Sequence, residues 1–319
     1  INLDKRTDAG NLENLADVTK ERLSVVRGDI RDRALVEQIL QEEKPWAIVN
    51  FAAESHVDRS ILDASPFVET NIGGVQALLD AARAYPVERF LHISTDEVYG
   101  DKEGQGSSTE AAPLSPSSPY AATKAAADLL CFSYRRTYGL PILVTRSSNN
   151  YGPYQFPEKL IPLLIRNGLN GMDFPVYGDG KQIRDWLHVE DNCHGILAVL
   201  KDGRIGSIYN IGAGEERTNL EVVEAICNAI EERRGMSLAQ LRKRMRFVAD
   251  RPGHDRRYAI DTTKLRTELG WQPRIEFDHG LKQTVDWYLG HPDWVAHVTS
   301  GAYRDYYETV YTRSWGQSA

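Results

Sequence analysis

Two rhythms alternate along the first half of the chain. Short apolar runs at 23–28, 47–51, 89–93 and 142–146 read as strands, those at 47–51 and 89–93 buried as in a parallel sheet. Between them apolar residues recur at three- and four-residue spacing. Leu35, Val36, Ile39 and Leu40 do so after Asp32, a good N-cap; a longer stretch runs from Pro66 to about Tyr85, and another from Ser118-Pro119 to about Tyr138. This alternation predicts an α/β fold with a doubly wound parallel sheet. From Asn149 onward prolines, glycines and short elements replace it, which predicts a smaller α+β lobe over 149–319. Within that part, a helix at 189–200 and a strand at 207–211 belong to a segment, 181–213, that returns to the first domain, 1–148. Further helices are expected at 219–234 and around Asp286.

Ile1-Asn2-Leu3-Asp4 reads as the end of a strand. An acidic residue at the tip of the second strand of a dinucleotide fold accepts hydrogen bonds from ribose hydroxyls and repels a 2′-phosphate, so Asp4 favours NAD over NADP. A preceding strand and a glycine-rich phosphate loop do not occur in the 319 residues. The expectation is that an N-terminal piece of the native chain precedes Ile1.

The densest candidate chemistry follows the run at 89–93. Ser94-Thr95-Asp96-Glu97-Val98-Tyr99-Gly100 places a hydroxyl and two carboxylates at the carboxyl end of a strand, where open α/β sheets bind ligands. Tyr120 and Lys124 lie one turn apart on the helix opened by Ser118-Pro119. An ammonium beside a phenol stabilises phenolate, so the pair is expected to have a lowered tyrosine pKa and to act as a base toward an alcohol. A second pattern of the same spacing, Tyr177-Gly-Asp-Gly-Lys181, carries two glycines and reads as a turn. The loop 101–118, rich in Gly, Ser and Pro, is expected to act as a lid.

Composition narrows the classes. The 38 basic against 45 acidic residues argue against a nucleic-acid surface, and no apolar run approaches the roughly 20 residues that span a bilayer. Cys131, Cys193 and Cys227 are far apart and are expected to be reduced core thiols of a cytoplasmic protein. With no Cys-x-x-Cys or His-x-x-x-His spacing, no metal is expected.

The Ser-Thr-Asp-Glu block and the Tyr120/Lys124 pair resemble the extended short-chain dehydrogenase/reductase superfamily, and within it the nucleotide-sugar 4,6-dehydratases. So do the stretches Ala52-Ala-Glu-Ser-His-Val-Asp-Arg-Ser60, Asn149-Asn-Tyr-Gly-Pro-Tyr154, Phe156-Pro-Glu-Lys-Leu160, Ile183-Arg-Asp-Trp186 and Asp250-Arg-Pro-Gly-His-Asp255. Near the start, Asp4-Lys5 and Ala9-Gly10-Asn11-Leu12 match as well. The resemblance implies a Rossmann-type sheet, NAD as cofactor and a homodimer built through a helix bundle. It places Asp4, Lys5, Asp29, Ile30, Ala52, Ala53, Ser55, Thr70, Tyr120, Lys124 and Asn150 against the cofactor. It places Ser55, Thr95, Asn149, Lys159, Leu160, Pro175, Tyr177, Arg184, Asn219, Arg251 and His254 against the nucleotide sugar. Cations and amides of this kind suit a diphosphate, whose charge must be met when it leaves water.

The resemblance also implies the reaction: Tyr120, Lys124 and Thr95 serve oxidation at C4, Glu97 takes the C5 proton and Asp96 protonates the departing C6 hydroxyl. An acid and a base at one site allow elimination of water, for which a plain epimerase has no use. The stretches at 149–154 and 183–186 look like those of members acting on dTDP-glucose. UDP- or CDP-glucose dehydratases, a nucleotide-sugar 4-epimerase and a catalytically silent NAD-binding member stay open as alternatives.

Overall fold

The computed structural model describes residues 1–7 and 10–300; Ala9 and the aromatic-rich tail with Tyr303, Tyr306, Tyr307 and Trp315 lie outside the described residues. Four parallel strands form the central sheet in the order β3 (Ala47–Asn50), β4 (Arg89–Thr95), β5 (Ile142–Ser147) and β9 (Ile208–Ile211). Their side chains alternate between two cores, as the two-residue period of a strand requires. Phe90, Ile142 and Val144 meet α1 (Arg33–Glu43), α3 (Val75–Ala84) and α4 (Pro119–Tyr138), while Leu91 and Leu143 meet α6 (Val189–Asp202) on the opposite face. Helices on both faces make this a doubly wound α/β sheet.

Helix starts follow local chemistry. Asp32 accepts the Leu35 N–H at 3.1 Å ahead of α1, and Ser118 accepts the Ala121 N–H at 3.1 Å ahead of α4, with Pro119 in its first turn. The long helix expected from Pro66 instead begins with a short turn, Ser65–Phe67, passes through a π-helical stretch, Val68–Gly74, and only then becomes α3.

A parallel pair, β1 (Asn2–Asp4) and β2 (Val25–Arg27), stands apart: among the described residues no ladder joins it to the central sheet. β1 and β3 instead flank a cavity of about 440 Å³. This corrects the expectation of a buried strand at 47–51. Ala47, Ile48 and Val49 are half-buried and Phe51 is 61% exposed, because one side of β3 faces that cavity rather than a neighbouring strand.

The second lobe has its own core. β6 (Asn149–Tyr151), β8 (Ile183–His188) and β10 (Glu216–Thr218) form a three-stranded sheet, and β7 (Phe174–Tyr177) pairs in parallel with β11 (Met245–Val248). Around them α5 (Leu160–Leu169), α7 (Asn219–Arg234) and α8 (Phe277–Gly290) bury Leu164, Phe174, Trp186, Ile226, Phe277 and Leu281 together. Within 181–213, β9 pairs with β5 of the central sheet while β8 pairs with β6 and β10. Cys131 and Cys227 are buried free thiols; Cys193, expected in the core, is exposed on α6, whose buried side is carried by Gly195, Ile196 and Val199. Among the described residues no helix is long and apolar enough to cross a membrane.

Candidate active site

β4 ends at Thr95 and turns at once into a single 3₁₀ turn, Asp96–Tyr99. The Thr95 hydroxyl accepts the Glu97 N–H at 3.3 Å and donates to Asp96 Oδ1 at 3.2 Å. The Gly100 N–H closes the turn on the Glu97 carbonyl at 3.1 Å. Gly100 has φ +71°, and a Cβ there would stand 2.0 Å from the Ser115 carbonyl oxygen, so only glycine lets the following loop pass this close. The turn sends the two carboxylates into unlike surroundings. Asp96 is 2% exposed, and burial, with the charges of Glu97 and Asp185 nearby, pushes its carboxyl well above the ordinary range. Glu97 lines a cavity of about 180 Å³; burial raises it too, but Arg251, Arg184 and Lys159 pull it back.

α4 brings Tyr120 and Lys124 beneath this turn, both buried, with the Thr95 hydroxyl hydrogen-bonded to the phenol. The expected lowering of the tyrosine pKa is not what the structure has. Burial pushes the Tyr120 phenol up, and Glu97 and Asp96 add to the rise. The Lys124 ammonium, brought down to about 8 by burial against the opposing pull of Asp128, donates to the Ile93 carbonyl at 2.7 Å. One-turn spacing puts both groups on one face, but desolvation and the carboxylates decide the proton affinity.

The 180 Å³ cavity collects Ser55, Asn149, Lys159, Leu160, Pro175, Tyr177, Arg184, Asn219, Arg251 and His254 from both lobes, and also Asn150, which was expected against the cofactor and does not line the 440 Å³ cavity. Its cations are held rigidly. Arg184 donates to the carbonyls of Ile183 and Asp255 at 2.7 and 3.0 Å and lies over the Tyr258 ring at 4.2 Å. The Lys159 ammonium donates to the Ser55 carbonyl at 2.9 Å. His254 pairs with Asp250 at 2.5 Å, yet burial and Arg251 bring its imidazole down to about 4, leaving it neutral at pH 7. The 440 Å³ cavity collects Asp4, Lys5, Asp29, Ile30, Ala52, Ala53 and Thr70. There the Asp29 carboxyl, although partly buried, falls to about 2 because Arg31 and Lys5 hold it at 2.9 and 3.0 Å.

A sequence profile described as GDP-mannose 4,6 dehydratase matches residues 1–284. The dTDP-glucose 4,6-dehydratase of Xanthomonas campestris pv. campestris is 52% identical over 315 residues, 95% of this chain and 90% of that protein. The chain belongs to the dTDP-glucose 4,6-dehydratases. Among solved structures of dTDP-glucose 4,6-dehydratases, that of Streptomyces venezuelae with NAD bound superposes with a TM-score of 0.88 at 49% identity, covering 93% of this chain and 89% of that one. That of Bacillus anthracis in complex with NAD gives 0.84 at 43% identity, covering 93% and 90%.

The site also holds groups that the sequence did not single out. Asp58 accepts the Tyr177 hydroxyl at 3.1 Å and pairs with Arg251 at 3.3 Å; Glu158 pairs with Arg59 at 3.1 Å and stands 3.8 Å from His56. Both acids lie in stretches that carried the resemblance, but acids are not an obvious choice for an anion site. The expected lid at 101–118 is instead a fixed strap. Asp101 accepts the Arg256 and Arg257 N–H groups at 3.1 Å each, Ser108 N–H donates to Ala259 at 2.9 Å, and Ser115 N–H donates to Val98 at 3.0 Å. Gly and Ser richness alone could not reveal these long-range partners. Among the described residues no group of three or more His, Cys, Asp or Glu could hold a metal ion.

Proposed function

We propose that this protein dehydrates dTDP-glucose to dTDP-4-keto-6-deoxyglucose with NAD as cofactor. The observation that carries the reading is the Asp96–Glu97 pair, two adjacent carboxyls whose surroundings differ. Asp96, deep and beside two other carboxyls, is pushed well above the ordinary carboxyl range, whereas Glu97 faces the cavity and three cations that pull it back. Pairs of titratable groups treated so differently are the mark of acid and base assignments.

The residues fit the cofactor. Asp4 sits at the tip of β1 for ribose hydroxyls, and Ala52 and Ala53 leave room for close approach beside Thr70, Asp29 and Ile30. NAD when bound would take hydride from C4 of the sugar and return it to C6. Tyr120 takes the C4 hydroxyl proton; its phenol, raised by burial, Glu97 and Asp96, must first give up its own, a loss that the Thr95 hydrogen bond favours, and Lys124 lies one turn along α4. Oxidation at C4 acidifies the C5 proton, which Glu97 takes; Asp96 delivers a proton to the C6 hydroxyl as it leaves as water, and Glu97 returns its proton to C5 once C6 has received hydride. Lys159, Arg184, Arg251, His254, Asn149 and Asn219 hold the nucleoside diphosphate, with Ser55, Asn150, Leu160, Pro175 and Tyr177 completing the wall.

In this reading residues 1–148, joined by part of 181–213, carry the cofactor and the rest of 149–319 the nucleotide sugar. The active form is a cytoplasmic homodimer through a helix bundle. That α4 leaves Leu129 63% exposed, and the adjoining π-helical stretch leaves Val68 49% exposed, supports it. Incubation with dTDP-glucose and NAD, followed by the alkali-induced absorbance of a 4-keto sugar, tests the function. Keto sugar from dTDP-glucose supports it; a C4 epimer as the sole product indicates an epimerase; preference for UDP- or CDP-glucose reassigns the substrate; no turnover with any of them favours a silent member.

A further inference from the structure

Beneath the candidate site lies a layer of buried polar side chains that the reaction above does not use. Ser94 on β4 is paired with Arg146 on β5, and the two-residue period returns His92 to the same face of the sheet. α4 lays Asp128 against that face. Arg146 Nε donates to Asp128 Oδ2 at 2.8 Å, while His92 Nε2 stands 3.8 Å from Asp128 Oδ1, beyond hydrogen-bond reach, and neither atom nor the Ser94 hydroxyl has a hydrogen-bond partner among the described residues. Asp128 and His92 are 0% exposed, Arg146 3% and Ser94 6%. The layer reaches outward on both sides. The Asn50 amide lies 3.3 Å from His92 Nδ1 while its oxygen accepts the Ala52 N–H at 3.1 Å; Arg146 lies over the Tyr99 ring at 4.8 Å, and Tyr99 donates to Asn210 at 2.8 Å. It therefore joins the Ala52–Ala53 turn, α4 and the turn that carries the two carboxylates.

A buried ion pair is a poor source of net stability, since well-packed apolar residues do as well, so its presence here asks for another role. Asp128 follows Lys124 by one turn on α4, and both side chains are fully enclosed. We propose that Asp128 is a positioning residue for the Tyr120–Lys124 pair: held by Arg146, its carboxylate keeps the Lys124 ammonium charged one turn away on α4 and sets the pH range in which the pair works. The inference rests on the function proposed above.

The groups facing this pair are few. Its own helix supplies Asp128 and Cys131; β4 supplies His92; β5 supplies Arg146; the 3₁₀ turn supplies Asp96 and Glu97. The π-helical side packs through the neutral Asn71 and Thr123, in contact at 3.0 Å. Of these, the Asp128 charge both raises the proton affinity of Lys124 and raises that of Tyr120. Its removal therefore lowers both, and both limbs of a rate profile move toward lower pH.

The test compares wild type with Asp128→Asn by two readouts: the pH profile of kcat, and the titration of [ε-¹³C]lysine-labelled protein, the Lys124 resonance being the one lost in Lys124→Arg. The Lys124 midpoint and the alkaline limb are expected to fall by about one pH unit. Asparagine leaves Arg146 unpaired, so the double variant Asp128→Asn/Arg146→Gln is made alongside, and the same fall is expected there. An unmoved Lys124 midpoint in either folded variant overturns the proposal, as does failure of both variants to fold, which makes the pair structural. Failure of wild type to turn over dTDP-glucose would remove the proposed function and leave the lysine midpoint to decide this inference.

Discussion

Gly100→Ala tests whether the strap at 101–118 fixes the turn that carries Asp96 and Glu97. The added Cβ would lie 2.0 Å from the Ser115 carbonyl oxygen and 3.0 Å from the Ser115 carbonyl carbon, at a residue with φ +71°. With ψ −167° Gly100 occupies a region that essentially only glycine enters, which costs an alanine about 1–3 kcal/mol. Relieving an overpacked contact costs about 1–3 kcal/mol more. The sum is about 2–6 kcal/mol of stability if the turn holds its place. If the turn yields instead, Glu97 moves by about an ångström, which is enough to lower turnover by about 10²-fold. Gly139→Ala is the clash-free control: Gly139 has φ +75° and ψ 16°, left-handed helical, with nothing within 4 Å of its would-be Cβ, so it carries only the smaller left-handed cost of about 1–2 kcal/mol. Denaturant unfolding and kcat on dTDP-glucose are measured for both. Equal stability and equal kcat in the two variants would refute the claim that the strap holds the turn.

Glu97→Gln keeps the shape of the site and removes the base: loss of the C5 proton, read as solvent deuterium uptake, falls by about 10²–10⁴-fold, while reduction of NAD on mixing with dTDP-glucose persists. Simultaneous loss of that reduction would place Glu97 in the oxidation step instead. Arg251→Met removes the first of the cations that oppose the burial of Glu97, so the acidic limb of elimination moves to higher pH, and KM for dTDP-glucose rises by about 10- to 100-fold through a lost charged hydrogen bond. An unchanged KM would show that Arg251 does not meet the diphosphate. Burial raises the Asp185 carboxyl to about 6 from an ordinary 3.8, against the opposing Glu215 N–H. The folded chain therefore binds the extra proton across that window, and stability falls by roughly 3 kcal/mol as pH rises from about 4 to about 6. Unfolding of Asp185→Asn followed over the same range should lose that slope.

Local signals carried far. The Asp32 and Ser118 caps place the starts of α1 and α4, and the apolar runs at 89–93 and 142–146 become β4 and β5 because each residue there has a core on its side of the sheet. Lys159, Arg184 and Arg251, which only the family resemblance singled out, converge from separate elements on the cavity that Glu97 lines. What stayed hidden depends on partners distant in sequence. The Asp58–Arg251 pair spans 193 positions and the Asp101–Arg257 contact 156, and neither leaves a periodic trace. Proton affinities were the least legible, because the rise at Tyr120 comes from burial and from carboxylates on another element.

The cavity between β1 and β3 bears on how the molecule breathes. Each strand has a ladder on one side only, β1 with β2 and β3 with β4, and the opposite backbone groups face the same open space. Amide hydrogens on those sides should exchange with solvent through small local openings, while those between β4 and β5, six residue pairs deep in the sheet, wait for global unfolding.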